Sequence, residues 1–407
     1  MIANIIKMWN EQKIDFLRNL SILLYFIVLF NADLKNSGLL WWSSFGILMI
    51  FFALHIRTNK FTFNTITKKY MLWSIIFICF NILSMLWAIN IGYSIEVIKK
   101  LIVRSVALWF ISAISTEKNN FFMVMKMFVM ASIINSLYIL WKIDLTTLGN
   151  VRIGVGSLGQ GWNANTIGLT MAFSTFVLFF LYIHQQNAKK RWLYLCIFIF
   201  LGAIILFTGS RKALLILIFA PLFFLYMNSE NKIKAGLIIL FSGIILLYLV
   251  MNVPIFHSII GARIESLLSY FTGEGQSDGS TRERMRLIKL GFLWLKEKPI
   301  LGYGANNFIK LFGDTTGRYI YSHNNFIELL VNTGIIGFGI YYSMYIAIIK
   351  NTFRKKDLYS IFAFVTIITL LISETGLVSY YGIHAQLLIC LSFSAISIAK
   401  QEELENE

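Results

Sequence analysis

The sequence predicts an all-α polytopic membrane protein with about 12 transmembrane helices and one long, partly helical external loop. Three observations carry that reading. Apolar residues make up 57% of the 407 and charged residues only 14%, a balance foreign to soluble domains. Apolar runs recur that reach or approach the roughly 20 residues needed to cross a bilayer. One long polar stretch, 253–323, breaks the series.

The apolar segments fall near 19–31, 38–56, 71–89, 97–115, 121–141, 166–183, 192–208, 212–228, 235–252, 324–349, 358–373 and 377–399. Before the first, Ile5, Ile6 and Trp9 set against Lys7 and Lys13 predict an interfacial helix. No small-residue cleavage site follows it, so a signal peptide is not expected. Cys79, Cys196 and Cys390 all lie in apolar runs and read as small core residues, without metal or disulfide spacing. No internal repeat or low-complexity tract stands out, and residues 1–407 read as one integral membrane domain carrying the 253–323 loop.

If all twelve segments span, the two termini share a side. Loops on that side hold 18 Lys and Arg, against 8 in the short loops or helix ends of the other; the nine in 253–323 fall in a long loop, which the charge rule exempts. The positive-inside bias puts both termini in the cytoplasm and 253–323 outside. It also accounts for much of the +16 net charge, and no aromatic-studded basic groove suggests nucleic acid.

Within the loop, Ser280-Thr281-Arg282-Glu283 fits a capping box. A helix from about Thr281 to Lys298, stopped by Pro299, follows from it. Helical spacing puts Arg282, Arg286, Lys289 and Lys296 on one stripe, with Met285, Ile288, Phe292 and Leu295 opposite. Arg284 falls on the apolar half beside Ile288, Gly291 and Leu295. An arginine on a packed face needs an anion, and its planar fork matches a phosphate. After Pro299 comes Gly302-Tyr303-Gly304, whose glycines allow tight turning; a simple turn is the plainer alternative. The aromatics Phe271, Phe292, Trp294, Phe308 and Phe312 predict an ordered loop.

Two other polar breaks are predicted on the outer side. Thr208-Gly209-Ser210-Arg211-Lys212 separates two spans; its arginine can bind a ligand or merely snorkel. Arg152 to Asn165 leads into another span, where Asn163 and Asn165 can cap the helix or bind a sugar hydroxyl, with capping the default. The chain has five histidines. His323, in Tyr321-Ser322-His323-Asn324-Asn325, sits where the polar stretch re-enters an apolar helix, and a titratable ring there can take a hydroxyl proton. A structural interfacial histidine is the plainer alternative. Glu374 reads as a helix-end carboxylate, Tyr380 and Tyr381 as belt aromatics, and His384 as a core or cavity residue.

Three elements together resemble the O-antigen ligase/polymerase family: Thr-Gly-Ser-Arg-Lys-Ala-Leu-Leu from Thr208, Pro-Ile-Leu-Gly-Tyr-Gly-Ala-Asn-Asn-Phe from Pro299, and Ser-His-Asn-Asn-Phe-Ile-Glu-Leu-Leu from Ser322. The likeness covers about 205–340. His323, Gly334 and Gly337 also keep the spacing associated with the ligase branch, which polymerases share. The resemblance implies inverting, metal-independent transfer from an undecaprenyl diphosphate-linked oligosaccharide, without a cofactor. It maps the catalytic residues to Arg211, Arg284 and His323. Around them Arg282, Arg286, Lys212, Asn324, Asn165, Arg152 and Tyr303 are candidate substrate ligands.

The chemistry is consistent with these residue types. Guanidinium groups can stabilise charge developing on a diphosphate leaving group, and no outward Asp-x-Asp motif offers a divalent-ion site. A polymerase of O-antigen or capsular repeat units is the leading expectation, placed on the outer face of the bacterial cytoplasmic membrane. A chain-length regulator and a flippase of the same pathway are its expected partners. The alternatives are an O-antigen ligase acting on lipid A core and a lipid-linked oligosaccharide flippase. Transporters commonly show repeat halves and midplane polar sites, and neither is visible here.

Overall fold

The computed structural model describes residues 2–58, 64–144, 146, 152–159, 161–254, 257, 261, 264–265 and 279–406. Among these residues the regular structure is helical throughout, with no strand. Phe271 and the side chains of the predicted capping box before Arg282 lie outside what is described, as do the side chains of the first twelve residues.

The helices are α1 (Ile2–Phe30), α2 (Ala32–Asn36), α3 (Gly38–Thr58), α4 (Thr65–Leu83), α5 (Ile91–Ile114), α6 (Lys118–Lys142), α7 (Val155–Leu158), α8 (Ala164–His184), α9 (Ala188–Thr208), α10 (Arg211–Asn228) and α11 (Lys232–Asn252). They continue with α12 (Gly279–Glu297), α13 (Phe308–Thr316), α14 (Asn325–Thr352), α15 (Leu358–Glu374) and α16 (Ile383–Asn406). Every predicted apolar segment overlaps one of them. Among the described residues eight helices are long and apolar enough to cross a membrane: α4 with the 3₁₀ turn after it, α6, α8, α9, α10, α11, α14 and α16. The apolar part of α3 and the whole of α15 are shorter. Lys13, Asp15 and Arg18 interrupt α1, and Glu96, Lys99, Lys100 and Arg104 interrupt α5. The predicted interfacial stretch is not a separate helix; it is continuous with the first apolar segment in α1.

The chain divides into two compact units. The first comprises Met1–Phe63, Ile114–Leu222 and Leu247–Ile260; the second comprises Asn64–Ala113, Phe223–Leu246 and Gly261–Glu407. In the first, α1 packs on α3 and α6, and α8 packs on α6 and α9. Phe30 meets Phe128 edge-on at 5.3 Å, the favoured aromatic geometry. Arg18 is buried, and its charge is met by Asp15 at 2.8 Å and by the Asn120 carboxamide oxygen at 3.1 Å. Asp33 pins the turn after α1 by accepting from Tyr138, Lys142 and Trp162.

In the second unit, α14 packs on α4, α12 and α15, and α16 on α4 and α15. In the described part of the predicted loop, 279–323, two helices, α12 and α13, dock on α14. Leu287, Trp294, Tyr303, Phe308 and Phe312 form one apolar core with Ile327 and Val331 of α14. That core corrects the face expected for α12: Met285 and Phe292 are exposed, and the packed stripe is Leu287, Gly291 and Trp294. Gly291 sets the approach, because a Cβ there would lie 2.3 Å from Ile327 Cγ2. Ile is branched at Cβ and has little freedom to yield. Gly291→Leu is therefore expected to cost about 1–3 kcal/mol, measurable as a lower midpoint of thermal unfolding in detergent.

Candidate functional site

Three elements of the second unit build the site: α12, the segment 317–324 and the first turn of α14. Arg284 leaves the solvent side of α12 and is half-buried, whereas Arg282 and Arg286 are exposed. The Arg286 guanidinium lies 6.0 Å from the Phe312 ring. Glu283 is held by Arg318 at 2.9 Å. Arg284 is within electrostatic reach of Tyr321: burial and then the carboxylate of Glu328 push the Tyr321 phenol above its usual range, and Arg284 pulls it back down. The Tyr321 ring in turn packs against His323, with centroids 4.2 Å apart. Tyr321 and His323 thus form a packed pair at the head of α14, within electrostatic reach of Arg284.

The backbone around His323 is unusual. His323 has φ +56°, the left-handed region that few residues other than glycine adopt. Its neighbours are pinned. The Ser322 N–H donates to Glu328 Oε2 at 2.7 Å, and Ser322 Oγ donates to the Asn324 carbonyl at 2.7 Å. Asn324 Oδ1 accepts from Ile327 N–H at 3.1 Å as the N-cap of α14, and its Nδ2 donates to the Thr375 carbonyl at 3.1 Å. Both ends of the Asn324 carboxamide are therefore occupied structurally. Asn325 is buried beneath it, donating to Tyr342 and accepting from the N–H groups of Ser379 and Tyr380.

The strap Pro299–Phe308 explains the glycines of the motif. α14 is kinked at Gly334, where φ is +62° and ψ −169°. The kink releases backbone groups from the helical ladder, and the strap takes them: Tyr303 N–H donates to Val331 O at 2.9 Å, and Ile335 N–H to Pro299 O at 2.9 Å. Asn332 Oδ1 accepts from Phe308 N–H at 2.7 Å. Gly302 lies so close that a Cβ would come within 2.5 Å of Val331 O. The Gly302 and Gly304 pair is thus more than a turn; it lets one backbone lie against another. Tyr303 is buried, its hydroxyl donating to Glu297 at 2.6 Å. Burial and then that carboxylate push its phenol well up. The structure gives Tyr303 a packing role.

The first unit carries the remaining candidates. Gly209, at φ +57°, ends α9 as a left-handed cap, and Arg211 opens α10. Gly168 of α8 presses on this turn: a Cβ there would meet Thr208 Oγ1 at 2.8 Å and Ser210 Cβ at 3.0 Å. Arg211 and Lys212 are half-buried. Arg152 docks on the same turn, its Nε donating to Thr208 O at 2.8 Å, and Ile153 N–H donates to Phe207 O. Two predicted arginines are therefore brought to one turn. Asn163 is the N-cap of α8, accepting from Asn165 and Thr166 N–H, as its capping default anticipated; Asn165 is half-buried in the first helical turn.

Sequence reasoning missed Tyr321, Glu328 and Asn332 as site residues. The available signal was polar: Glu328 and Asn332, one helical turn apart, sit in an otherwise apolar helix, where such groups are costly unless used. Two expectations are corrected. Glu374 is not a plain helix-end carboxylate; it is fully buried and accepts from Tyr341, Tyr342, Tyr345 and Ser379. Tyr380 is fully buried and does not belong to an interfacial belt.

No curated protein matches the chain. Residues 196–342 match the family model described as O-Antigen ligase. The matched region contains the Arg211 turn, Arg284, the strap, His323 and the Gly334 kink. That match likens residues 196–342 to the O-antigen ligase/polymerase family, and the long apolar helices are those of a multi-pass membrane protein.

Proposed function

We propose that the protein is a membrane glycosyltransferase that polymerises undecaprenyl diphosphate-linked oligosaccharide repeat units into O-antigen or capsular polysaccharide. The observation that carries this reading is the His323 imidazole packed on the Tyr321 ring at 4.2 Å, with the half-buried Arg284 within electrostatic reach of Tyr321. Arg284 binds the diphosphate of the donor. His323 takes the proton from the acceptor hydroxyl as its oxygen attacks the anomeric carbon. The anomeric carbon–oxygen bond to the diphosphate breaks with inversion, and undecaprenyl diphosphate leaves with the electron pair. No metal ion is needed for this charge balance when guanidinium groups neutralise the leaving group. Arg211, with Lys212 and Arg152 on its turn, forms a basic group of the first unit that suits a phosphate in its own right. All twelve apolar segments cross the cytoplasmic membrane, both termini are cytoplasmic, and the chemistry faces outward.

The test is reconstitution of the purified protein with a lipid diphosphate-linked repeat unit, read as a product ladder on a gel. Arg284→Ala is expected to lower the rate by about 10²–10³-fold, the scale of losing one donor to a developing charge. Arg282→Ala and Arg286→Ala, exposed and screened by solvent, are expected to lower it only a few-fold. Transfer only after addition of lipid A core would move the activity to ligation. Absence of any transfer, with lipid-linked sugar crossing the bilayer instead, would make the protein a flippase.

A further inference from the structure

Glu328 is the least expected group near His323. It is a carboxylate with no exposed surface, set in the first turn of α14 within an apolar core. Such a group is retained when its oxygens are used. Oε2 accepts from Ser322 N–H at 2.7 Å and Oε1 from Asn332 Nδ2 at 3.2 Å. Asn332, also fully buried, accepts with its other atom from Phe308 N–H at 2.7 Å. One continuous chain of hydrogen bonds therefore runs from the strap, through Asn332 and Glu328, to the residue before His323.

The chain has a direction. Each N–H at its ends donates inward, so the middle must present an acceptor at both points of contact. A carboxylate does this with two oxygens; a carboxamide has only one. The left-handed backbone at His323 relaxes unless the residues on either side are fixed. Ser322 is fixed from one side by Glu328, and Asn324 from the other by Thr375.

We infer that Glu328 is a positioning residue: it clamps Ser322 N–H and, through Asn332, ties the Pro299–Phe308 strap to the backbone that aims the His323 imidazole. This rests on the reading of His323 as the proton acceptor. The role separates binding from transfer, because Glu328 holds the base while Arg284 holds the donor.

The experiment compares wild type, Glu328→Ala, Glu328→Gln and His323→Ala in detergent. Two quantities are read: the dissociation constant of a fluorescent undecaprenyl diphosphate analogue, and the single-turnover transfer rate normalised to folded protein. Glu328→Ala is expected to lower the transfer rate at least 50-fold with analogue binding within about twofold of wild type. Glu328→Gln keeps the Ser322 acceptor and loses the one to Asn332, so it is expected to transfer at least fivefold faster than Glu328→Ala and still slower than wild type. If Glu328→Ala does not fold, the glutamine variant carries the same split between binding and rate. Wild-type transfer in the Glu328 variants, or equal losses of binding and rate, overturns the positioning role while leaving His323 in place. A His323→Ala protein as fast as wild type overturns the proton-acceptor reading itself, and the role of Glu328 with it.

Discussion

Replacing His323 by asparagine is expected to lower transfer by about 10²–10⁴-fold, the usual contribution of a positioned general base, while the protein stays folded. The choice of substitute matters because His323 sits at φ +56°. Alanine there keeps a Cβ in the left-handed region, at a cost of roughly 1–2 kcal/mol. Asparagine tolerates that region and glycine is free in it. His323→Gly should therefore be inactive and at least as stable as wild type. Loss of activity with unchanged or raised thermal midpoint marks a residue kept for chemistry at the expense of backbone strain. A structural interfacial histidine gives the opposite activity result, with transfer preserved in the asparagine and glycine variants.

That Arg284 lies off the exposed stripe of Arg282 and Arg286 was legible in the sequence, because a 3.6-residue period locates a helix face from spacing alone. The neighbours on that face were less so. Phe292 looked like core, yet it is exposed, and Gly291 is buried instead. Hydrophobicity assigns a large aromatic to the packed side by default. What decides here is how closely α12 approaches Ile327, and only a residue without a side chain permits that.

The hydrogen-bonded scaffold under His323 was not legible, for a different reason. The partners of Glu328 and Asn332 lie before the histidine and in the strap, and no local period joins them. Asn324 illustrates the same limit from the other side. An asparagine beside a proposed catalytic histidine invites a ligand role, whereas its carboxamide is used at both ends by α14 and Thr375. Composition predicted spans wherever apolar runs occur, and helices overlap all of them. It could not weigh the buried charges: Arg18 and Arg104 are buried within α1 and α5. Their acceptability depends on tertiary partners such as Asp15 and Asn120 for Arg18.

Gly334, the first glycine of the His323 motif, should prove the least replaceable residue of α14. Gly334 has φ +62° and ψ −169°, a region open in practice only to glycine, so any other residue there costs on the order of 1–3 kcal/mol. A Cβ would also lie 2.1 Å from Ile300 O and 2.3 Å from Ile300 C. Those are backbone atoms and cannot swing aside as a flexible side chain would. Relieving them means lifting the strap, which breaks the bonds from Ile335 N–H to Pro299 O and from Tyr303 N–H to Val331 O. Overpacking of this kind adds about 1–3 kcal/mol. Gly334→Ala is therefore expected to lose roughly 2–6 kcal/mol in all, a large share of the typical stability of a folded domain. Gly339 is the matched control: it lies on the same helix, with nothing within 4 Å of a Cβ built there. Gly339→Ala should be neutral or stabilise by about 0.4–1 kcal/mol. Thermal unfolding of the two variants in one detergent decides the matter. If Gly334→Ala melts with wild type, the strap does not depend on the kink. A large loss confined to Gly334 makes the motif's glycine a structural hinge for the histidine.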